Sequence, residues 1–340
     1  MQLLSILTTA INAVLPIVLL IGLGYGLRRS NFITEEFVKI GNKLVFNVCL
    51  PCMLFVNVYE IESLDDIRWD VVLYSSLMIF VIFLIGTAVA ALTSPDGKRR
   101  GVIAQSAFRS NMAIIGLALA ASLGGQDAVA VAAVVSAFTV PIFNILAVVS
   151  LTMFVEPDGN KNRFAGVLKK IVTNPLIIGI ALGMFCLLIR QGQILLFDAP
   201  VFLLSRDVKF FYTALSNLGK ITSPFALLVL GGQFTFSAVS DLRKEILAGT
   251  LSRIILSPVI GIGSAVVLGC FGIINFDASV YPALIAVFGS PTAVSSAIMA
   301  KQMNHDGQLA TQLVVWTSIG SIFTIFITVC ILMAMGLLMV

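Results

Sequence analysis

Two short stretches carry residue types able to hold an anion within hydrocarbon. Phe108-Arg-Ser-Asn-Met-Ala113 and Phe288-Gly-Ser-Pro-Thr-Ala293 lie 180 positions apart, each inside an apolar run. Arg109 offers a permanent charge whose placement at mid-depth costs ~2.5–3.5 kcal/mol on insertion scales, so it needs a partner, water or an anionic ligand. Ser110, Asn111, Ser290 and Thr292 add neutral hydrogen-bonding groups, with Ser295 close by. Pro291 stands at the position equivalent to Asn111. It removes a backbone donor and frees the carbonyl four residues earlier. Beyond such a break a half-helix presents free N–H groups and a positive dipole end, which suits a carboxylate. Gly116 extends the first break. Lys220, four residues before Pro224 in another apolar run, and Asn47, beside Pro51, complete the candidates. Ordinary roles stay open to several of them: Arg109 as a carbonyl cap, Lys220 as a snorkelling cation, Pro291 as a packing kink.

The chemistry that is missing narrows the choice. All 17 acidic residues fall in connectors or at helix ends, so neither a salt-bridge partner for Arg109 nor a proton-carrying carboxylate lies deep in a span. The zinc-protease, phosphate-loop and serine-hydrolase spacings do not occur. Cys49-Leu-Pro-Cys52 has the C-x-x-C form, but no βαβ pattern or metal-ligand partner surrounds it. The five cysteines read as small buried hydrophobes. The single histidine, His305, sits in a short polar connector. No enzyme activity, metal or cofactor is expected. Sodium held by carbonyls and hydroxyls at the breaks remains open, as do proton coupling and potential-driven movement.

Membrane helices must position these residues. The chain is 59% hydrophobic and 11% charged, with mean hydropathy +1.05, where soluble domains are about a quarter charged. A span needs ~20 mostly apolar residues. On that measure the sequence predicts ten, over 4–27, 37–58, 69–92, 99–123, 127–154, 165–189, 208–236, 243–273, 278–302 and 308–339. The first ends in Arg28-Arg29 without a small-residue cleavage site and reads as a span, not a removable signal peptide. The longest gap, 190–207, has room only for a loop or an interfacial helix. Fifteen of the 21 Lys and Arg fall in the odd-to-even connectors, from Arg28 and Arg29 through Arg243, Lys244 and Arg253 to Lys301. Only Arg68, Arg190, Arg206 and Lys209 take the other side. The positive-inside rule then puts the basic connectors in the cytoplasm and both termini outside the cell membrane.

The offset of 180 also superposes Val134-Val135 on Val314-Val315 and Ile142-Phe143 on Ile322-Phe323. With five spans per half, the second half enters the membrane inverted. The expected organisation is 1–155 as the first repeat, 156–164 as a cytoplasmic linker and 165–340 as the second repeat. Interrupted segments at matching depth in two inverted halves point to a substrate site served by alternating access.

Several segments carry a family resemblance in order: Asn47-Val-Cys-Leu-Pro51-Cys-Met-Leu-Phe55, Phe108-Arg-Ser-Asn-Met-Ala-Ile-Ile-Gly116, Asn174-Pro-Leu-Ile-Ile-Gly179, the Leu218–Gly231 stretch around Lys220 and Pro224, and Gly289-Ser-Pro-Thr-Ala293. Over essentially its full length the chain resembles the auxin efflux carrier family in its compact bacterial, malate/malonate permease-like form. The resemblance implies an all-α integral membrane fold of ten helices in an inverted 5+5 repeat, shared with bile-acid/sodium symporters. Helices four and nine would cross as broken helices. A scaffold of helices one, two, six and seven would stand beside transport helices three to five and eight to ten. It also implies elevator-like motion, often a homodimer, and organic anions as substrates. Asn111 and Pro291 match the crossing positions, so substrate contact carries over to them and their neighbours. Bacterial relatives often have Gly where Ala113 stands and Pro where Ala118 stands, so the break in helix four is expected to rest on Asn111 and Gly116. The long loop of plant members is reduced to 156–164, and neither regulation through it nor auxin as physiological substrate is expected.

The expectation is a secondary carrier of small organic anions, mono- or dicarboxylates, embedded in lipid and without a nucleic-acid partner. A sodium-coupled symporter of bile-acid type and a membrane sensor that binds ligand without transport are the alternatives.

Overall fold

A computed structural model describes residues 2–60, 68–154, 172–197, 199–234 and 238–338, leaving aside the side chains of 2–14, 17, 113, 114, 118, 126 and 238. The described residues are helical apart from connectors and one isolated antiparallel bridge. In chain order the described helices of eight or more residues are α1 (Gln2–Arg29), α2 (Glu35–Tyr59), α3 (Trp69–Thr93), α4 (Gly97–Phe108), α5 (112–123), α6 (Asp127–Met153) and α7 (Pro175–Phe197). They continue as α8 (Lys209–Gln233), α9 (Arg243–Cys270), α10 (Val280–Gly289), α11 (Ser295–Gln302) and α12 (Gly307–Ala334). Among the described residues seven of these, α2, α3, α6, α7, α8, α9 and α12, are long and apolar enough to cross a membrane. The short pairs α4/α5 and α10/α11 fall where the sequence predicts interrupted spans.

Local chemistry sets the boundaries. Thr34 caps α2 by accepting from the Phe37 N–H, Asp96 caps α4 through Lys98, and Asp306 caps α12 through Leu309, each satisfying a free first-turn donor. Gly124 and Gly125 leave helical geometry, the latter at φ +63°, and separate α5 from α6. The predicted sixth span ends later than the sequence suggests. Pro175 opens α7, where its missing N–H is harmless, and Asn174 Oδ1 accepts from the Leu176 N–H at 2.9 Å. The helix then runs through Arg190 to Phe197, where the sequence reading places a gap, because Ile194-Leu-Leu-Phe197 prolongs the apolar run. The predicted start at 165–171 and the linker 156–164 lie outside the described residues. Pro16 lies inside α1.

Lipid is as apolar as leucine, so close helix contact depends on small residues. A Cβ on Gly24 would sit 2.1 Å from Leu228 O, and one on Gly231 would sit 2.0 Å from Ile21 O, so α1 and α8 touch backbone to backbone. Gly179 and Gly183 do the same for α7 against Pro51 and Phe55 of α2. Among the described residues five π turns interrupt the α ladder, at Val45–Cys49, Met112–Gly116, Ser252–Leu256, Val259–Gly263 and Ile285–Gly289. At the basic end, Arg99 of α4 meets Glu245 of α9 at 3.0 Å and Asp306, the α12 cap, at 3.2 Å. At the opposite end, Arg68 holds Asp277 at 2.7 Å.

Candidate functional site

The two breaks meet. Arg109 turns to φ −77°, ψ 97° and ends α4. Ser290 turns to φ −64°, ψ 149° and ends α10, as a residue ahead of proline is biased to do. The extended pieces run antiparallel with Ser110 opposite Thr292. The Asn111 N–H donates to Pro291 O at 2.8 Å, and the Ala293 N–H donates to Arg109 O at 3.0 Å. Thr292 donates its N–H to Thr317 Oγ1 of α12 at 3.1 Å and its hydroxyl to Ser106 O at 3.3 Å. The Ser110 hydroxyl donates to Ala286 O at 3.4 Å. Irregular backbone is thereby satisfied within the protein, as a water-free surrounding requires.

Carbonyls left free at the ends of α4 and α10 converge on one side chain. Arg253 of α9 is fully buried. Its Nε donates to Ser290 O at 2.8 Å, Nη1 to Phe108 O at 3.0 Å and Ala107 O at 3.3 Å, and Nη2 to Val287 O at 2.8 Å and Phe288 O at 3.3 Å. The sequence reading assigns Arg253 to a cytoplasmic connector. In the structure it belongs instead to the crossing, buried among its carbonyls. Its proximity to Arg243-Lys244 concealed it, although it already stands within the predicted eighth span.

Arg109 lies on the other side of the break, 2% exposed. Its Nη2 donates to Asn144 Oδ1 of α6 at 2.7 Å, and its Nη1 to Gln105 Oε1 at 3.3 Å and Met299 Sδ at 3.0 Å. No carboxylate is among these partners. Arg109, Ser110 and Asn111 line a cavity of 50 Å³ together with Asn144, Thr222 and Ser223 of α8, and Ser295 at the start of α11. Leu50, Met53 and Phe143 supply apolar walls. Such a volume holds about one or two waters and is too small for a dicarboxylate. Asn111 is 4% exposed and its Nδ2 lacks a hydrogen-bond partner, as do the buried hydroxyls of Ser290 and Ser296. An unpaired buried donor beside a cation is a receptor for an acceptor atom.

Other expected residues take different places. Gly116 does not line the cavity. A Cβ there would lie 2.8 Å from Ala286 O, so it lets α5 pass over α10. The chain at the first break departs from helix at Arg109–Asn111, and the helix resumes as the π turn that ends at Gly116. Ala113 and Ala118 side chains are outside the described residues. Pro291 contributes its carbonyl. Lys220 is exposed, lining a separate cavity of 230 Å³ with Glu60 and Asn57. Met53 and Ser223 border both that cavity and the central one. Asn47 is exposed, and its amide donates to Lys43 O at 2.9 Å. Asn144, Thr222 and Ser223 were missed, though a polar residue within an apolar run was the available signal. At the basic end an 830 Å³ cavity is lined by Arg28, Arg29 and Lys301 with Glu35. All five cysteines are unpaired, and no group of three or more His, Cys, Asp or Glu gathers among the described residues.

Comparison with known proteins places the chain among membrane transporters. An uncharacterized transporter of Methanothermobacter thermautotrophicus is 24% identical over 327 residues, spanning 92% of this chain and 95% of its own. A family model described as membrane transport protein matches residues 9–329, both broken helices included. With nearly the whole chain so matched, the protein belongs to the membrane transport protein family, that of the auxin efflux carriers, and is a multi-pass membrane transporter.

Proposed function

We propose that the protein is a secondary carrier of small organic anions, mono- or dicarboxylates, working by alternating access. The observation that carries this reading is the central cavity. It joins a buried guanidinium, an unpaired amide donor and the N-terminal ends of α5 and α11, and no carboxylate lines it. A carboxylate bound there would balance Arg109 while Asn111 orients it; Ser110 and Thr292 hold the crossing, and Ser290 lies behind it. On this reading α4/α5 and α10/α11 are single interrupted crossings. The chain then has ten crossings in an inverted 5+5 repeat with both termini outside. The close glycine contacts of α1 with α8 and of α2 with α7 support a scaffold against which the remaining helices move. Because the cavity is smaller than its cargo, binding requires the two bodies to part.

The test is uptake of labelled dicarboxylates, malate and malonate among them, into proteoliposomes with and without sodium and pH gradients. Saturable flux lost at least tenfold in both Arg109→Ala and Asn111→Ala is expected. Undiminished flux in both variants would sink the site assignment.

A further inference from the structure

Arg253 is a buried charge that the anion site does not use. We propose that it is the resident cation of the crossing, a positioning residue that fills the place a coupling sodium ion would otherwise take. The inference deepens the anion-carrier reading and rests on it for the sign of the site. The geometry, however, stands independently of any substrate.

The acceptors of Arg253 are five main-chain carbonyls, two from the end of α4 and three from the end of α10 and its break. Half-helix C-termini and unwound carbonyls are the groups that hold sodium in carriers with broken helices. Here every one of these oxygens already has a donor, and every guanidinium nitrogen is engaged. A guanidinium offers five N–H groups in a fixed fork, where an ammonium offers three on a point charge. No carboxylate balances it within this set. The countercharge is the pair of helix ends, each equivalent to roughly −0.5 charge, together matching one cation.

The surroundings are shaped to keep it there. Arg253 sits in the π turn Ser252–Leu256, a distortion common at functional positions. One turn on, the Ser257 hydroxyl donates to Phe288 O at 3.1 Å. Gly261 admits the Phe288 ring, since a Cβ there would lie 2.2 Å from Phe288 Cγ. With the negative poles neutralised by a tethered charge, the positive poles of α5 and α11 and the Arg109 guanidinium dominate the cavity on the opposite side. The site therefore has a fixed sign without a bound ion.

The decisive experiment measures the unfolding midpoint of the purified full-length carrier in detergent, in sodium chloride against choline chloride, for wild type, Arg253→Lys, Arg253→Met and Arg253→Ala. Wild type is expected to show the same midpoint in both salts. Arg253→Lys should fall by a few degrees and Arg253→Met by clearly more. Arg253→Ala should be restored by millimolar guanidinium chloride but not by choline. If Arg253→Ala does not fold, the Lys and Met pair decides. Arg253→Met as stable as Arg253→Lys would overturn the proposal, and so would a sodium-dependent midpoint in wild type. Because no substrate enters this measurement, failure of the anion-carrier reading in flux assays would leave its outcome unchanged.

Discussion

Asn144 connects α6 to the break: its amide donates to Val140 O at 2.8 Å and its Oδ1 accepts from Arg109. Replacing it by leucine leaves one guanidinium donor without its partner, at a cost of about 1–3 kcal/mol for a buried group. Asn144→Leu should therefore lower the unfolding midpoint and the dicarboxylate flux together. Asn144→Asp separates the two effects. A carboxylate at 144 would pair with Arg109, so the fold should hold while anion flux falls at least tenfold. Flux at the wild-type level in Asn144→Asp would show that the charge of Arg109 is not used for cargo. Arg109 and Asn111 were legible in the sequence because polar residues inside an apolar run need a reason. Arg253 was not, because depth in a membrane depends on helix register, and the basic residues ten positions earlier suggested a connector. Asn47 lies within the π turn Val45–Cys49, exposed and with its amide on Lys43 O, a placement that hydropathy does not reveal.

At the scale of helices, both breaks were readable from Pro291, Asn111 and their polar neighbours. The π turns were not, since an extra residue in a turn leaves no mark in hydropathy. The exit of α7 was misjudged because Arg190 suggested an end, whereas its apolar neighbours keep the helix going to Phe197. The glycines of α1 and α8 provide a sharp test. Gly231→Ala brings a methyl onto the Ile21 carbonyl, and overpacking of this kind costs about 1–3 kcal/mol. Gly22, whose added Cβ meets nothing within 4 Å, is the control, where alanine should gain helix propensity. The expected result is a lowered midpoint for Gly231→Ala and an unchanged or raised one for Gly22→Ala. Equal midpoints would mean that α1 and α8 are not packed backbone to backbone.

For the molecule as a whole, the central cavity borders the Lys220 cavity through Met53 and Ser223, while the Arg28/Arg29/Lys301 cavity shares no lining residue with it. Between the proposed scaffold and moving helices at the basic end, Gln308 of α12 donates to Gln233 O of α8 at 3.2 Å. In a cysteine-free background, Gln233→Cys with Gln308→Cys joined by a short bifunctional maleimide should abolish flux. Full flux in completely cross-linked protein would refute relative movement of α8 and α12. At the other end, the Ser279 hydroxyl and Arg68 hold the Asp277 carboxyl below the usual carboxylate range. A depressed value means that this contribution is complete above the unfolded value near ~3.9 and fades as the pH falls through the folded one. For a pair this exposed it amounts to under about 1 kcal/mol. Between pH 5 and 3 the wild-type midpoint should drop more steeply than that of Asp277→Asn, and parallel curves would exclude the link. Composition and basic connectors made the membrane class and a proposed orientation readable. The joining of distant helix ends by one guanidinium was not, because it depends on tertiary approach.

Pro291 gives up its carbonyl to Asn111 but has no hydrogen to return. The hydrogen bond between positions 111 and 291 can therefore run in one direction only, and the two breaks, alike as their sequences are, cannot exchange roles where they meet. The crossing has a front and a back, set by a single ring nitrogen before any ligand arrives.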